Sequence, residues 1–100
     1  VPLLSLGAKG VISVLSNVRP KRTLQMVRAC QAGDYAAAGR MQVALTPLID
    51  ALFSEINPIP VKQALSLMGI PAGLPRLPLT PLSATHLPAL EQALSAAPEP

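Results

Sequence analysis

The stretch Gly7-Ala8-Lys9-Gly10-Val11-Ile12-Ser13-Val14-Leu15-Ser16-Asn17-Val18 decides how this chain is read. Its two glycines punctuate a tight turn after a short apolar segment, Val1 to Leu6. Val11 to Leu15 is rich in β-branched residues and lacks the polar alternation of a half-exposed strand. A strand buried on both faces, as in a parallel sheet flanked by helices, reads this way. The expectation is therefore helix end, turn, strand over about 10–15, then a helix over about 18–32 with Asn17 as its cap. A single parallel strand makes no sheet alone, so the chain reads as a piece of a larger α/β protein.

Working outward, the rest of the pattern is helical. In the helix after Asn17, Pro20 falls in the first turn, where an amide hydrogen has no intrahelical partner. Thr23, Met26, Val27 and Cys30 form its buried stripe. Gly33 stops it and Asp34 caps the next helix, read over 35–54 with Ala38, Met41, Leu45, Leu48, Ile49 and Leu52 on one face. Pro47 predicts a kink there rather than a break. Asn57-Pro58-Ile59-Pro60 forces extended geometry, and Pro60 opens a third helix through Val61, Ala64, Leu65 and Met68 to Gly69. A proline-punctuated arm follows. A last helix begins between Ser83 and His86, with Leu87, Leu90 and Leu94 as its seam, and Pro98-Glu99-Pro100 reads as a free tail.

Composition narrows the function classes. One hundred residues suffice for one modest domain. Half are hydrophobic but only Tyr35 and Phe53 are aromatic, so the core must be aliphatic. Nine of the twelve prolines lie from Pro58 onward, punctuating apolar rather than polar segments, which argues against disorder. The first residues carry no charged n-region or cleavage motif of a secretory signal. No apolar run approaches the roughly 18 residues that suggest a membrane span.

The net charge of +3 permits an acidic partner without demanding one. Arg19-Pro20-Lys21-Arg22 lacks the interleaved aromatics of a nucleic-acid surface and reads as a solvated helix face. Cys30, the single cysteine, excludes an internal disulfide and fits a reducing cytoplasm as a packed thiol.

No complete active site is readable. His86 stands without a Cys or carboxylate at ligand spacing, so neither a metal nor a cofactor site is expected. Asp34, Asp50, Glu55, Glu91 and Glu99 are dispersed. A desolvated lysine could form a Schiff base, but Lys9 precedes the strand, Lys21 sits in the basic cluster and Lys62 opens a helix. No catalytic residue is expected within this segment.

Three runs together resemble the dihydrodipicolinate synthase (4-hydroxy-tetrahydrodipicolinate synthase) family. Gly10-Val11-Ile12-Ser13-Val14 with Asn17-Val18 looks like its last barrel strand and turn. Asn57-Pro58-Ile59-Pro60-Val61-Lys62 is similar to its signature before a late helix, and Arg76-Leu77-Pro78-Leu79-Thr80-Pro81-Leu82 to its C-terminal arm. Leu15-Ser16 departs from the family's frequent Thr-Ala, and Ser54-Glu55-Ile56 from Val-Glu-Pro.

The resemblance implies the C-terminal third of a (β/α)₈ TIM barrel: residues 1–32 end the barrel and 33–100 form a C-terminal helical extension. It implies a cytoplasmic homotetramer that condenses pyruvate with L-aspartate-4-semialdehyde on the route to lysine and diaminopimelate. The Schiff-base lysine, a tyrosine and a threonine belong to earlier strands. What carries over is Ile12, whose main-chain carbonyl is implied to line the pyruvate site. The alternatives are a related pyruvate-dependent lyase such as N-acetylneuraminate lyase, and an autonomous helical interaction module.

Overall fold

The computed structural model describes residues 1–100 and contains six helices. These are α1 (Pro2–Ser5), α2 (Leu15–Val18), α3 (Pro20–Gln31), α4 (Tyr35–Leu52), α5 (Ile59–Leu67) and α6 (Leu87–Ala96). Helix α4 is the spine: α3, α5 and α6 all pack on it, and α2 sits against α3 and α5. The result measures 42 × 25 × 21 Å. Its centre is aliphatic, with Val18, Leu45, Leu48, Leu52 and Leu90 fully buried. No helix is long and apolar enough to cross a membrane.

Helix boundaries follow local chemistry. At the end of α3, Gly33 takes φ +80°. The Asp34 amide then donates to Ala29 O at 2.9 Å and the Gly33 amide to Cys30 O at 3.0 Å, satisfying carbonyls the helix leaves open. Asp34 immediately caps α4, its Oδ1 accepting from the Ala37 amide at 2.9 Å. Gly69 repeats the arrangement after α5, with φ +79° and the Ile70 amide bonded to Leu65 O at 2.9 Å. The expected stripes are largely buried: Thr23, Met26 and Cys30 on α3, and Ala38, Leu45, Leu48 and Leu52 on α4. Helix α4 runs unbroken through Pro47 and ends at Leu52, two residues before the expected end.

The strand expected over 10–15 is not formed. Residues 8–13 adopt no regular secondary structure, and α2 begins at Leu15. A strand exists only by pairing, and no other segment of this chain pairs with this one. The helix expected over 18–32 starts at Pro20 for a different reason. Arg19, with φ −138° and ψ 61°, lies outside the helical region because the following proline ring crowds that conformation. Asn17 consequently lies inside α2 and caps nothing; Arg19 occupies the cap position of α3 without a side-chain cap bond. Helix α6 starts at Leu87, just beyond the expected window, and His86 holds its cap position.

Candidate functional site

Ile12 lies in the irregular segment between the Gly7 turn and α2, with its side chain fully exposed. Val11 beside it is half exposed. The pair belongs to a wider set of exposed apolar side chains that includes Leu3, Leu6, Val43 and Leu77. What fixes this segment is found at its ends. Upstream, Gln31 Nε2 donates to Lys9 O at 3.4 Å. Downstream, α2 is closed by the Arg19 amide donating to Leu15 O at 2.8 Å, and Val18 is wholly buried.

Arg19 departs most from the sequence reading. The basic cluster was expected to be solvated, yet Arg19 is 5% exposed. Its guanidinium donates from Nη1 to Val18 O at 2.7 Å, from Nη2 to Leu94 O at 2.7 Å and from Nε to Ala97 O. Nη1 also lies 3.5 Å from Met68 Sδ. Desolvation lowers its pKa from the ordinary arginine value, Glu99 opposes that shift, and Arg22 adds to it. The rest of the cluster binds the tail expected to be free. The Lys21 amide donates to Glu99 Oε1, Lys21 Nζ to Pro100 O at 3.1 Å, and Arg22 Nε to Pro98 O. The signal missed was the proline after Arg19, which turns that side chain off the α3 face.

The remaining candidates separate. Lys62 Nζ donates to Ala72 O at 2.7 Å, and to Leu74 O at 3.4 Å, holding the proline-rich arm against α5. Lys9 lines a cavity of about 270 Å³ with Leu4, Cys30 and Tyr35. Cys30 is buried, as its place on the α3 stripe suggested. His86 pairs through Nδ1 with Glu55 Oε2 at 2.7 Å, while Ser83 Oγ lies 3.3 Å from the same nitrogen. Serine and carboxylate therefore share one ring nitrogen, which is not the relay of a nucleophilic triad, where they occupy opposite nitrogens. No three His, Cys, Asp or Glu side chains come together.

Comparison with known proteins agrees across sequence and structure. Residues 1–97 match the model of the Dihydrodipicolinate synthetase family. The 4-hydroxy-tetrahydrodipicolinate synthase of an Exiguobacterium species is 51% identical over 96 residues, 92% of this chain and 33% of that protein. That of Methanosarcina barkeri is 52% identical over 86 residues, 86% of this chain and 30% of that protein. Among solved structures, a dihydrodipicolinate synthase crystal structure superposes with a TM-score of 0.91 at 48% identity, covering 94% of this chain and 33% of that one. The chloride-inhibited enzyme from Acinetobacter baumannii complexed with pyruvate gives 0.88 at 42% identity, over 95% of this chain and 33% of that one. The chain thus spans about a third of the length of the relatives it matches. Its strandless, helical structure superposes on about a third of each of these enzymes, and the chain belongs to the dihydrodipicolinate synthetase family.

Proposed function

We propose that this chain is the C-terminal part of a 4-hydroxy-tetrahydrodipicolinate synthase, a lyase condensing pyruvate with L-aspartate-4-semialdehyde through a Schiff base. In this reading residues 1–32 close a (β/α)₈ barrel and 33–100 form a helical extension behind it. The observation that carries it is the superposition of nearly the whole chain on a third of a family enzyme, with a TM-score of 0.91. The open Val11-Ile12 segment supports the same reading, because it has the sequence of a doubly buried strand and no partner in this chain.

Within the whole enzyme the role of this part is positional. Barrel closure would put Ile12 near the C-terminal mouth of the barrel, where active sites of this architecture sit. A carbonyl there accepts a hydrogen bond from the amine of the Schiff-base lysine, which an earlier strand supplies, and holds it facing pyruvate. Only the backbone is needed, so an aliphatic side chain is free to pack. The assembly would be a homotetramer working in the cytoplasm, on the route to lysine and diaminopimelate, without a bound cofactor.

The test is a condensation assay of the full-length protein with pyruvate and L-aspartate-4-semialdehyde, beside a cleavage assay with N-acetylneuraminate. Turnover of the first pair alone is expected. Turnover of N-acetylneuraminate alone would move the protein to the related lyases, which share the Schiff-base chemistry. Activity on neither would return the chain to the class of helical interaction modules.

A further inference from the structure

Arg19 raises a physical question that packing does not answer. A guanidinium that is 5% exposed and lies within no salt-bridge distance of a carboxylate costs more than an aliphatic side chain of similar volume. It is tolerated because its donors are taken up by carbonyl oxygens, and the identity of those carbonyls is informative. Leu94 O and Ala97 O belong to the last turn and C-cap of α6, which the helix itself leaves unbonded and where its dipole is negative. Val18 O is the last carbonyl of α2, only six residues beyond Ile12. Met68, touching Nη1, is the C-cap of α5. One side chain therefore joins the end of the segment that carries Ile12 to the ends of α5 and α6.

We infer that Arg19 is a positioning residue: it ties the segment from Gly10 to Val18 to the C-terminal end of α6, so that the helical extension steadies the Ile12 carbonyl. This rests on the proposed pyruvate-site role of Ile12. The geometry favours coupling over simple support of α6. Arg19 sits at the break between α2 and α3, and its own amide closes α2 on Leu15 O. Freeing the side chain releases that break from α6, whereas α6 keeps its apolar contacts through Leu90 and Leu94. A carbonyl held correctly for only part of the time raises the apparent KM in proportion, and saturating substrate restores the competent state.

The experiment uses the full-length protein and Arg19→Met, which keeps an unbranched apolar stem and removes every carbonyl bond. Amide exchange would be followed in peptides covering 10–18 and 87–97, beside steady-state kinetics in pyruvate. The expected result is exchange about tenfold faster in both peptides, a severalfold higher KM for pyruvate and a kcat within about twofold of the parent. Arg19→Lys, which keeps the charge and one donor group, should fall between. Faster exchange in 87–97 alone, with 10–18 and KM unchanged, would overturn the inference and leave Arg19 a support of α6. Should Arg19→Met fail to fold, Arg19→Gln, shorter and uncharged, gives up the Leu94 and Ala97 carbonyls instead. It too should loosen 10–18, and parental exchange there would overturn the inference. A parent protein that exchanges as expected but does not condense pyruvate would count against the proposed function, not against the coupling.

Discussion

Glu55 and His86 meet across 31 positions of chain, with Oε2 of the carboxylate 2.7 Å from Nδ1 of the imidazole. The same carboxylate oxygen accepts the Ser83 amide at 3.0 Å. Glu55 follows the end of α4, while Ser83 and His86 lead into α6, so one oxygen fastens the proline-rich arm where it turns back on the spine. Nothing near either residue in the sequence points to the other.

This clasp makes a pH prediction. The His86 hydrogen bond, then the Ser83 amide, hold the Glu55 carboxyl below its ordinary range, and desolvation opposes them. A carboxyl whose folded pKa is depressed stabilises the fold above its unfolded pKa, near 4.3, and loses that contribution as pH falls through the folded value. Thermal unfolding of the full-length protein should therefore weaken below about pH 5, and Glu55→Gln should flatten part of that decline. Superimposable pH profiles would show that the clasp contributes nothing.

Leu52 is wholly buried on α4. Leu52→Ala should destabilise the full-length protein by about 2–5 kcal/mol, from lost transfer energy and the cavity left behind. Urea denaturation checks it; a midpoint equal to the parent's would mean that the site collapses around the smaller residue.

Gly33 separates two of the longest helices at φ +80°, and a Cβ there would meet open space. Gly33→Ala should therefore cost only the backbone penalty of a left-handed alanine, roughly 1–2 kcal/mol. A stabilised variant would show that the α3–α4 joint does not need this conformation.

The helical part was readable because its punctuation is local. Gly33, Asp34, Pro60 and Gly69 act within a turn of themselves, and stripes such as Leu45, Leu48 and Leu52 need only helical spacing. The strand over 10–15 was not realised because pairing is a property of neighbours, and none lies in this chain. Arg19 was misread because burial of a cation depends on acceptors 75 and 78 residues away. Pro20 bends the chain toward them, but nothing local names Leu94 and Ala97. Of the candidate site, the Val11-Ile12 run was visible as apolar sequence. The role of its carbonyl rests on the family resemblance.

If the Ile12 carbonyl orients the lysine amine, backbone path matters more than side chain. Ile12→Val in the full-length enzyme should cost about 0.5–1.5 kcal/mol of stability and keep most turnover. Ile12→Pro should lose turnover even where it folds, because proline removes a donor within a central strand and shifts the carbonyl. Full turnover in a folded Ile12→Pro enzyme would remove Ile12 from the site.

We propose that this chain is the positioning third of an enzyme whose Schiff-base lysine lies elsewhere. Borohydride reduction of the full-length protein in the presence of pyruvate, followed by peptide mass mapping, tests it directly. One pyruvate-derived adduct per chain is expected, on a lysine outside residues 1–100. No adduct, or an adduct on Lys9, Lys21 or Lys62, would contradict it.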